Sequence, residues 1–277
     1  MNEQVLDRPV LQPVTVAPRP RSSVLRLARR TAVLAGHIVF TLALWQAVVW
    51  VFRIDPLVVP GPFAVLEALA DLLRSSVVYE ATWVTFQEAM FGFAIGAAVG
   101  IVLAVVLAES DVLYRLVNPY IVAFQALPKV ALTPLFIVWF GFGIWSKVVL
   151  ITTFVFFPVM VNMYTGLRSC TPEEEELMRV SHATRWQRLR HLRLYKSLPY
   201  LFAAFEASFV LCLTGAVFAE LLGSGTSVGL GTLVQLFTAR LAMPGLFAVI
   251  ALLGLFGVLL DIAVKAAARV FLAWNRP

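Results

Sequence analysis

The chain has 277 residues, of which 60% are hydrophobic and 14% charged, with a mean hydropathy of +0.86 and a formal net charge of +6. Too little polar material is present to cover a soluble globule of this length, so the composition specifies an integral membrane protein, and apolar runs long enough to cross a bilayer as helices make it all-α and polytopic. The positive charge flanks apolar runs, which points to anionic lipid headgroups and not to nucleic acid, and two distant cysteines, Cys170 and Cys212, give neither a disulfide framework nor a zinc site.

In chain order, residues 1–30 carry six arginines and several prolines without a sustained apolar run, and read as a cytoplasmic tail. Residues 31–53 form the first span, too long for the core of a secretory signal. Residues 54–83 are an external segment, punctuated by Pro60-Gly61-Pro62 and holding a short amphipathic helix with Leu66, Leu69 and Leu73 opposite Glu67, Asp71 and Arg74. A core of five spans then occupies 84–265.

The second span covers 84–108, and Glu109, Asp111 and Arg115 mark a short cytoplasmic loop. Gly92, Gly96 and Gly100 recur every fourth residue and line one helix face with small residues, suited to close packing inside one subunit or against another. The third span, 116–140, contains Pro119, Pro128, Pro134 and Lys129, the pattern of a kinked helix that either borders a cavity or simply packs. An outer turn at 141–147 leads into span four, 148–166, and span five runs from 199 to 222. Outer residues 223–244 form a surface or partly re-entrant loop before span six, 245–264, and a cytoplasmic tail at 266–277. With six spans, seventeen Lys and Arg fall on cytoplasmic segments, four fall outside and Lys129 lies within the membrane, giving N-in, C-in topology.

Between spans four and five lies a charged island, with its loop at 167–199, holding Arg168, Arg179, Arg185, Arg188, Arg190, Arg193 and Lys196. Acidic residues 173–176 come first and basic residues follow. That order complements the helix dipole and predicts two short cytoplasmic helices broken near 181–184, a surface on which a soluble partner docks.

Catalytic chemistry is sparse. No G-x-x-x-x-G-K-[ST] occurs, and Gly223, Gly225 and Gly229 have the wrong spacing and no preceding strand for a nucleotide loop. The G-x-S-x-G around Ser227 is followed by no histidine, and His37, His182 and His191 have no metal-ligand spacing. Four carboxylates, Glu88, Glu206, Glu220 and Asp261, lie in or at the ends of spans. Glu88, Glu220 and Asp261 fall near span ends, where snorkelling to the interface is the expected reading, whereas Glu206 is deeper. Glu206 and Glu220 are fourteen residues apart and project to similar faces. That face is expected to border a pathway or a partner subunit, with Lys129 neutralising Glu206.

The island resembles the cytoplasmic loop of binding-protein-dependent ABC importer permeases, written E-A-A, three residues, G, then a hydrophobic-basic helix ending in L-P. The matching residues are Glu176, Leu177, Met178, Arg179, His182, Ala183, Thr184, Arg185, Trp186, Leu198 and Pro199. FQALPKVALTPLFIVWFGFGIWSK at 124–147, GAVFAE at 215–220 and GLG at 229–231 look like the branch handling nitrate, sulfonate, taurine and thiamine precursors. His182 replaces the family glycine, Tyr195 replaces a frequent proline, and Leu177 and Met178 replace the alanines. Glycine permits positive φ at the bend, which histidine adopts only at some cost.

The resemblance implies a type I importer permease with a second, identical permease subunit, a cytoplasmic ABC ATPase dimer and an external substrate-binding protein, in the bacterial inner membrane. No cofactor is expected on this chain, since ATP and Mg belong to the partner ATPase. Glu176, Arg179, His182, Ala183, Thr184, Arg185 and Trp186 are the expected coupling residues, and Pro128, Lys129, Pro134, Glu206 and Glu220 the pathway or gate candidates. Arg190 and Arg193 are expected to meet lipid headgroups. Two other readings remain: an ATP-independent secondary transporter, which favours duplicated halves, and a scaffold that binds a cytoplasmic partner without moving substrate.

Overall fold

A computed structural model describes residues 23–223 and 227–272, without the side chains of 23–31, 34 and 35. Most of the expected tail at 1–30 lies outside the described residues, as do Gly225 and Arg276. The chain divides into two units, Met1–Arg53 and Ile54–Pro277, and among the described residues every regular element is a helix. In the first unit, α1 (Ser23–Val51) is a single 29-residue helix that begins well before the expected span. Gly36–Val51 is its shorter apolar portion.

The second unit begins with α2 (Pro62–Arg74), whose proline occupies the first turn, where no backbone donor is needed. Its buried side is Pro62 and Val65, with Leu72 packed against Val78, Ala81, Leu230, Leu233 and Val249. Leu66 and Leu73 of the expected apolar stripe are exposed instead. The stripe named the wrong face because in a membrane protein apolar side chains suit lipid as well as core, so amphipathicity does not identify the inward side. Helix α3 (Ser76–Ala108) starts eight residues before the expected span, since the Ser75 hydroxyl accepts from the Val77 N–H and caps it.

The expected third span is not one kinked helix. It is α4 (Asp111–Ala126), a 3-10 turn at Lys129–Leu132 and α5 (Thr133–Phe140), bent by 88° at the break. Pro128 disfavours helix at Leu127, which is extended at φ −67 and ψ 135. Pro134 sits in the first turn of α5, and Gly141 at φ 75 ends it. Then follow α6 (Ile144–Leu167), α7 (Pro172–Val180), α8 (Arg185–Arg188), a π turn at Leu189–Arg193, α9 (Leu194–Leu222), α10 (Leu230–Ala239) and α11 (Met243–Phe271). Among the described residues four helices are long and apolar enough to cross a membrane, or five if the bent pair counts as one span.

Helices α3, α6 and α9 form the core. A Cβ on Gly92 would collide with Ile151, one on Gly96 would lie 2.8 Å from Val155 Cβ, and one on Gly100 would lie 2.6 Å from the Phe156 carbonyl. Residue numbers rise together along this seam, so α3 and α6 are parallel, and the glycine row serves packing inside the subunit. Helix α9 runs the other way: Gly166 abuts Ser197, while Cys212 Sγ lies 2.9 Å from the Ala89 carbonyl oxygen. Helix α11 is antiparallel to α9, with Gly257 beside Leu213 and Phe271 stacked on Phe202 at 5.8 Å. Parallel α3 and α6 require the intervening chain to return, and α4 with α5 carries it back. The charged island therefore sits at one end of the core, beside the C-terminal ends of α3, α6 and α11.

Candidate functional site

The island is built from two capping boxes. The Thr171 hydroxyl accepts from the Glu174 N–H at 3.4 Å while Glu174 Oε2 accepts from the Thr171 N–H at 2.9 Å, and Pro172 opens α7. Thr184 and Gln187 repeat the arrangement at 3.3 and 2.8 Å and open α8. Both boxes are legible as [ST]-x-x-[EQ], a signal the charge pattern alone does not supply. Between them the chain turns at His182, φ 53. The Ala183 N–H donates to the Met178 carbonyl and the His182 N–H to the Arg179 carbonyl, both at 3.0 Å. This is the Schellman pairing that closes a helix through a left-handed residue, so histidine adopts the conformation for which glycine is suited.

One side of α7 is tied down by ions. Glu175 accepts from Arg193 Nε at 2.8 Å and lies 3.6 Å from Arg188, and Arg193 also reaches Glu109 at the end of α3 at 3.4 Å. Lys196 pairs with Glu174, and Arg168 with Asp111 at the start of α4. Arg193 is thus a bracket between elements of the protein, contrary to its expected contact with lipid. The Lys196 ammonium holds the Glu174 carboxyl below the usual carboxylate range, and hydrogen bonds from its own backbone and Thr171 do the same for Glu173. Burial pushes the Cys170 thiol up, with Glu175 adding to the effect, so it is held in its unreactive protonated form. A cleft of about 500 Å³ opens here, lined by five arginines, 168, 179, 185, 188 and 193, and by Glu109, Asp111 and Glu175.

The other side of α7 and the start of α8 face outward. Glu176, Arg179, His182, Thr184 and Arg185 are exposed, Ala183 is half-buried, and Arg179 pairs with Glu176 at 3.0 Å. Three large apolar side chains share this charged surface: Leu177 and Val180 are each 68% exposed, and Trp186 is 65% exposed. All seven expected coupling residues therefore come together on one short stretch. Leu189, buried in the main core cluster, and the Gly166 to Ser197 contact seat the stretch on α6 and α9.

The pathway candidates fare differently. Pro128 and Pro134 frame the break between α4 and α5. Lys129 does not neutralise Glu206: its ammonium lies 5.7 Å from the centroid of the Phe154 ring, and Glu206 is half-buried within electrostatic reach of Lys265. Asp261 accepts from Lys265 at 2.7 Å. Glu88 and Glu220 are not snorkelling, since both are fully buried.

At the end opposite the island these two carboxylates form a cluster that sequence reasoning missed. Lys147, expected in an exposed turn, lies inside α6 because that helix begins at Ile144. It is only 2% exposed, and its Nζ donates to Glu88 Oε1 at 2.7 Å and approaches Ser227 Oγ at 3.4 Å. Glu220 Oε1 accepts from the Thr85 hydroxyl at 2.7 Å. Its Oε2 accepts from the Gly231 N–H and, at 3.3 Å, from the Thr232 N–H, so a side chain from α9 caps α10. The Thr85 hydroxyl in turn accepts from the Leu230 N–H at 2.9 Å. A Cβ on Gly229 would overlap the Glu220 carboxylate, and one on Gly231 would lie 2.9 Å from Glu220 Cβ. The glycines of GLG thus make room for the glutamate of GAVFAE. The available signal was a lysine within an apolar run and two intramembrane carboxylates, charges that demand one another when buried.

The family model for "Binding-protein-dependent transport system inner membrane component" matches residues 96–271. The formylaminopyrimidine transport permease protein ThiX of Halalkalibacterium halodurans is 32% identical over 80% of this chain and 88% of its own length. The riboflavin transport system permease protein RibX of Chloroflexus aurantiacus is 32% identical over 95% and 97%, and the taurine transport system permease protein TauC of Escherichia coli 27% over 90% and 92%. An inward-facing structure of the MetNI methionine ABC transporter shares the fold with a TM-score of 0.55 and 25% identity, covering 72% of this chain and 95% of that one. The chain belongs to the binding-protein-dependent transport system inner membrane component family and is an ABC transporter permease, a transport subunit and not an enzyme.

Proposed function

We propose that the chain lines the substrate pathway of an ATP-driven importer in the bacterial cytoplasmic membrane and couples it to ATP hydrolysis through the surface of α7 and α8. The observation that carries this reading is the exposed cluster of Leu177, Val180 and Trp186 among Arg179, His182 and Arg185, seated by ion pairs on the ends of α3, α4 and α9. An aromatic anchor flanked by guanidinium groups suits a partner groove, and the brackets let a displacement of α7 reach the spans. Differential contacts of that surface with two ATPase states would bias the spans between inward-facing and outward-facing arrangements.

In this reading the island and both termini are cytoplasmic, a second copy completes the pathway, and an external binding protein delivers substrate. ATP and Mg reside in the ATPase dimer. Pro128, Lys129 and Pro134 at the 88° break, together with Glu206, are the gate candidates, while Glu220 acts by holding α10. The cargo is a small organic or oxyanion nutrient. The names of the two relatives at 32% identity support a nitrogen heterocycle ahead of a sulfonate or nitrate.

Trp186→Ala tests the coupling surface in a complex reconstituted with its ATPase and binding protein. Loss of a hot-spot side chain costs about 2 kcal/mol, or about 30-fold in ATPase affinity, with the permease still folded and dimeric. Unchanged ATPase binding and unchanged ATP-linked uptake would remove Trp186 from the contact.

A further inference from the structure

The Glu88, Lys147 and Glu220 cluster contains two buried carboxyl groups and one ammonium group, each no more than 2% exposed. Its hydrogen bonds are unequally shared. Glu220 has both oxygens engaged by donors: the Thr85 hydroxyl on Oε1, and the Gly231 and Thr232 N–H groups on Oε2. Those donors need acceptors, and they sit at the positive end of α10, where negative charge is favoured. Glu88 has one oxygen on Lys147, whereas its Oε2 is buried and has no hydrogen-bond partner. The charged groups acting on Glu88 are Glu220 from α9 and Lys147 from α6, and Thr85, which donates to Glu220, lies one turn before Glu88 on α3.

Two buried carboxylates with one lysine would leave a net negative charge in a site without water contact, with the Glu88 Oε2 acceptor unsatisfied. A single proton resolves both problems: it neutralises the surplus charge and turns Glu88 Oε2 into a donor. We propose that the cluster is a proton-binding site, in which Glu88 carries the proton and hydrogen-bonds to an ionised Glu220 that caps α10. Lys147⁺ and Glu220⁻ then balance, and the proton ties Glu88 on α3 to the carboxylate by which α9 caps α10. The site lies at the end of the core opposite the coupling surface and is independent of that surface's assignment.

The sign of the resulting pH dependence follows directly. The folded protein retains a proton that Glu88 loses when unfolded at neutral pH, so stability falls as pH rises and the site deprotonates. Infrared difference spectroscopy on the intact transporter in lipid nanodiscs reads the proton itself. Wild type at neutral pH is expected to show the carbonyl stretch of a protonated carboxylic acid, shifted in heavy water and lost on going to alkaline pH. Glu88→Gln, the neutral isostere, should remove that band, fold and assemble normally, and flatten the loss of thermal stability between neutral and alkaline pH. Glu206→Gln serves as a control that keeps the band. Absence of the band in folded wild type or its persistence in Glu88→Gln would overturn the assignment. So would failure of Glu88→Gln to assemble, because an amide should replace a protonated acid without penalty. A requirement for sodium in place of the proton would overturn it too.

Discussion

The two ends of the core handle charge in opposite ways. At the island end, Arg168, Arg188, Arg193 and Lys196 meet Glu109, Asp111, Glu174 and Glu175 in pairs that remain partly exposed to solvent. At the other end, Lys147, Glu88 and Glu220 are sealed from solvent and committed to particular partners. Solvent screens the first set, so each pair is individually weak and the lattice can rearrange as its partner moves. The second set cannot exchange its partners for water, so each member depends on the others. The coupling role proposed for the island suits the former behaviour, and the proton site proposed for the buried cluster suits the latter.

The sharpest test of this contrast is Lys147→Ala. It leaves the buried Glu88 and Glu220 carboxyl groups without their cation, and removing one member of such a buried ionic group destabilises by about 3–5 kcal/mol. The expected outcome is loss of monodisperse protein in detergent, scored by size exclusion and thermal denaturation. A near-neutral result would put the buried cluster on the same footing as the island. Gly229→Ala comes next. The added methyl displaces the Glu220 carboxylate from the amides of Gly231 and Thr232, at a cost of about 1–3 kcal/mol for overpacking and lost hydrogen bonds. Faster hydrogen exchange confined to the start of α10 would identify the lost cap.

At the island end the effects are smaller. His182→Gly removes a left-handed histidine, a strain of about 1–2 kcal/mol, and restores up to about 1 kcal/mol of unfolded-chain entropy. A gain of no more than about 2 kcal/mol in thermal stability is therefore expected. Destabilisation would mean that the imidazole contributes more than the strain costs. Lys196→Ala removes a solvent-screened pair with Glu174 and should have the smallest effect of the four. Its effect has a sign with pH: Glu174 is held below the ordinary carboxylate range, so the contribution is present above that range and fades as acid protonates the folded carboxyl. Wild type and variant should converge in stability in acid.

Much of the site was legible because it is local. Acidic residues followed by basic ones, a glycine-like position occupied by His182 and a following Thr-Arg-Trp-Gln fix two short helices and their turn between Pro172 and Arg188. The glycine row of α3 was equally readable as a close-packing face, although only the positions of Ile151, Val155 and Val159 decide that the neighbour lies in the same subunit. The leucine stripe of α2 misled because lipid and core reward the same side chains.

By itself, then, the sequence determined the all-helical membrane class and the two short helices on either side of His182. These follow from hydropathy, spacing and capping, all of which act over one or a few turns. Tertiary structure alone decided that α4 and α5 break at 88°, that Lys147 pairs with Glu88 and that Glu220 caps α10. Thr85 and Glu220 are 135 residues apart, and Glu88 and Lys147 are 59 apart. The partner of a buried charge is set by which helices pack together, and no local pattern carries that choice.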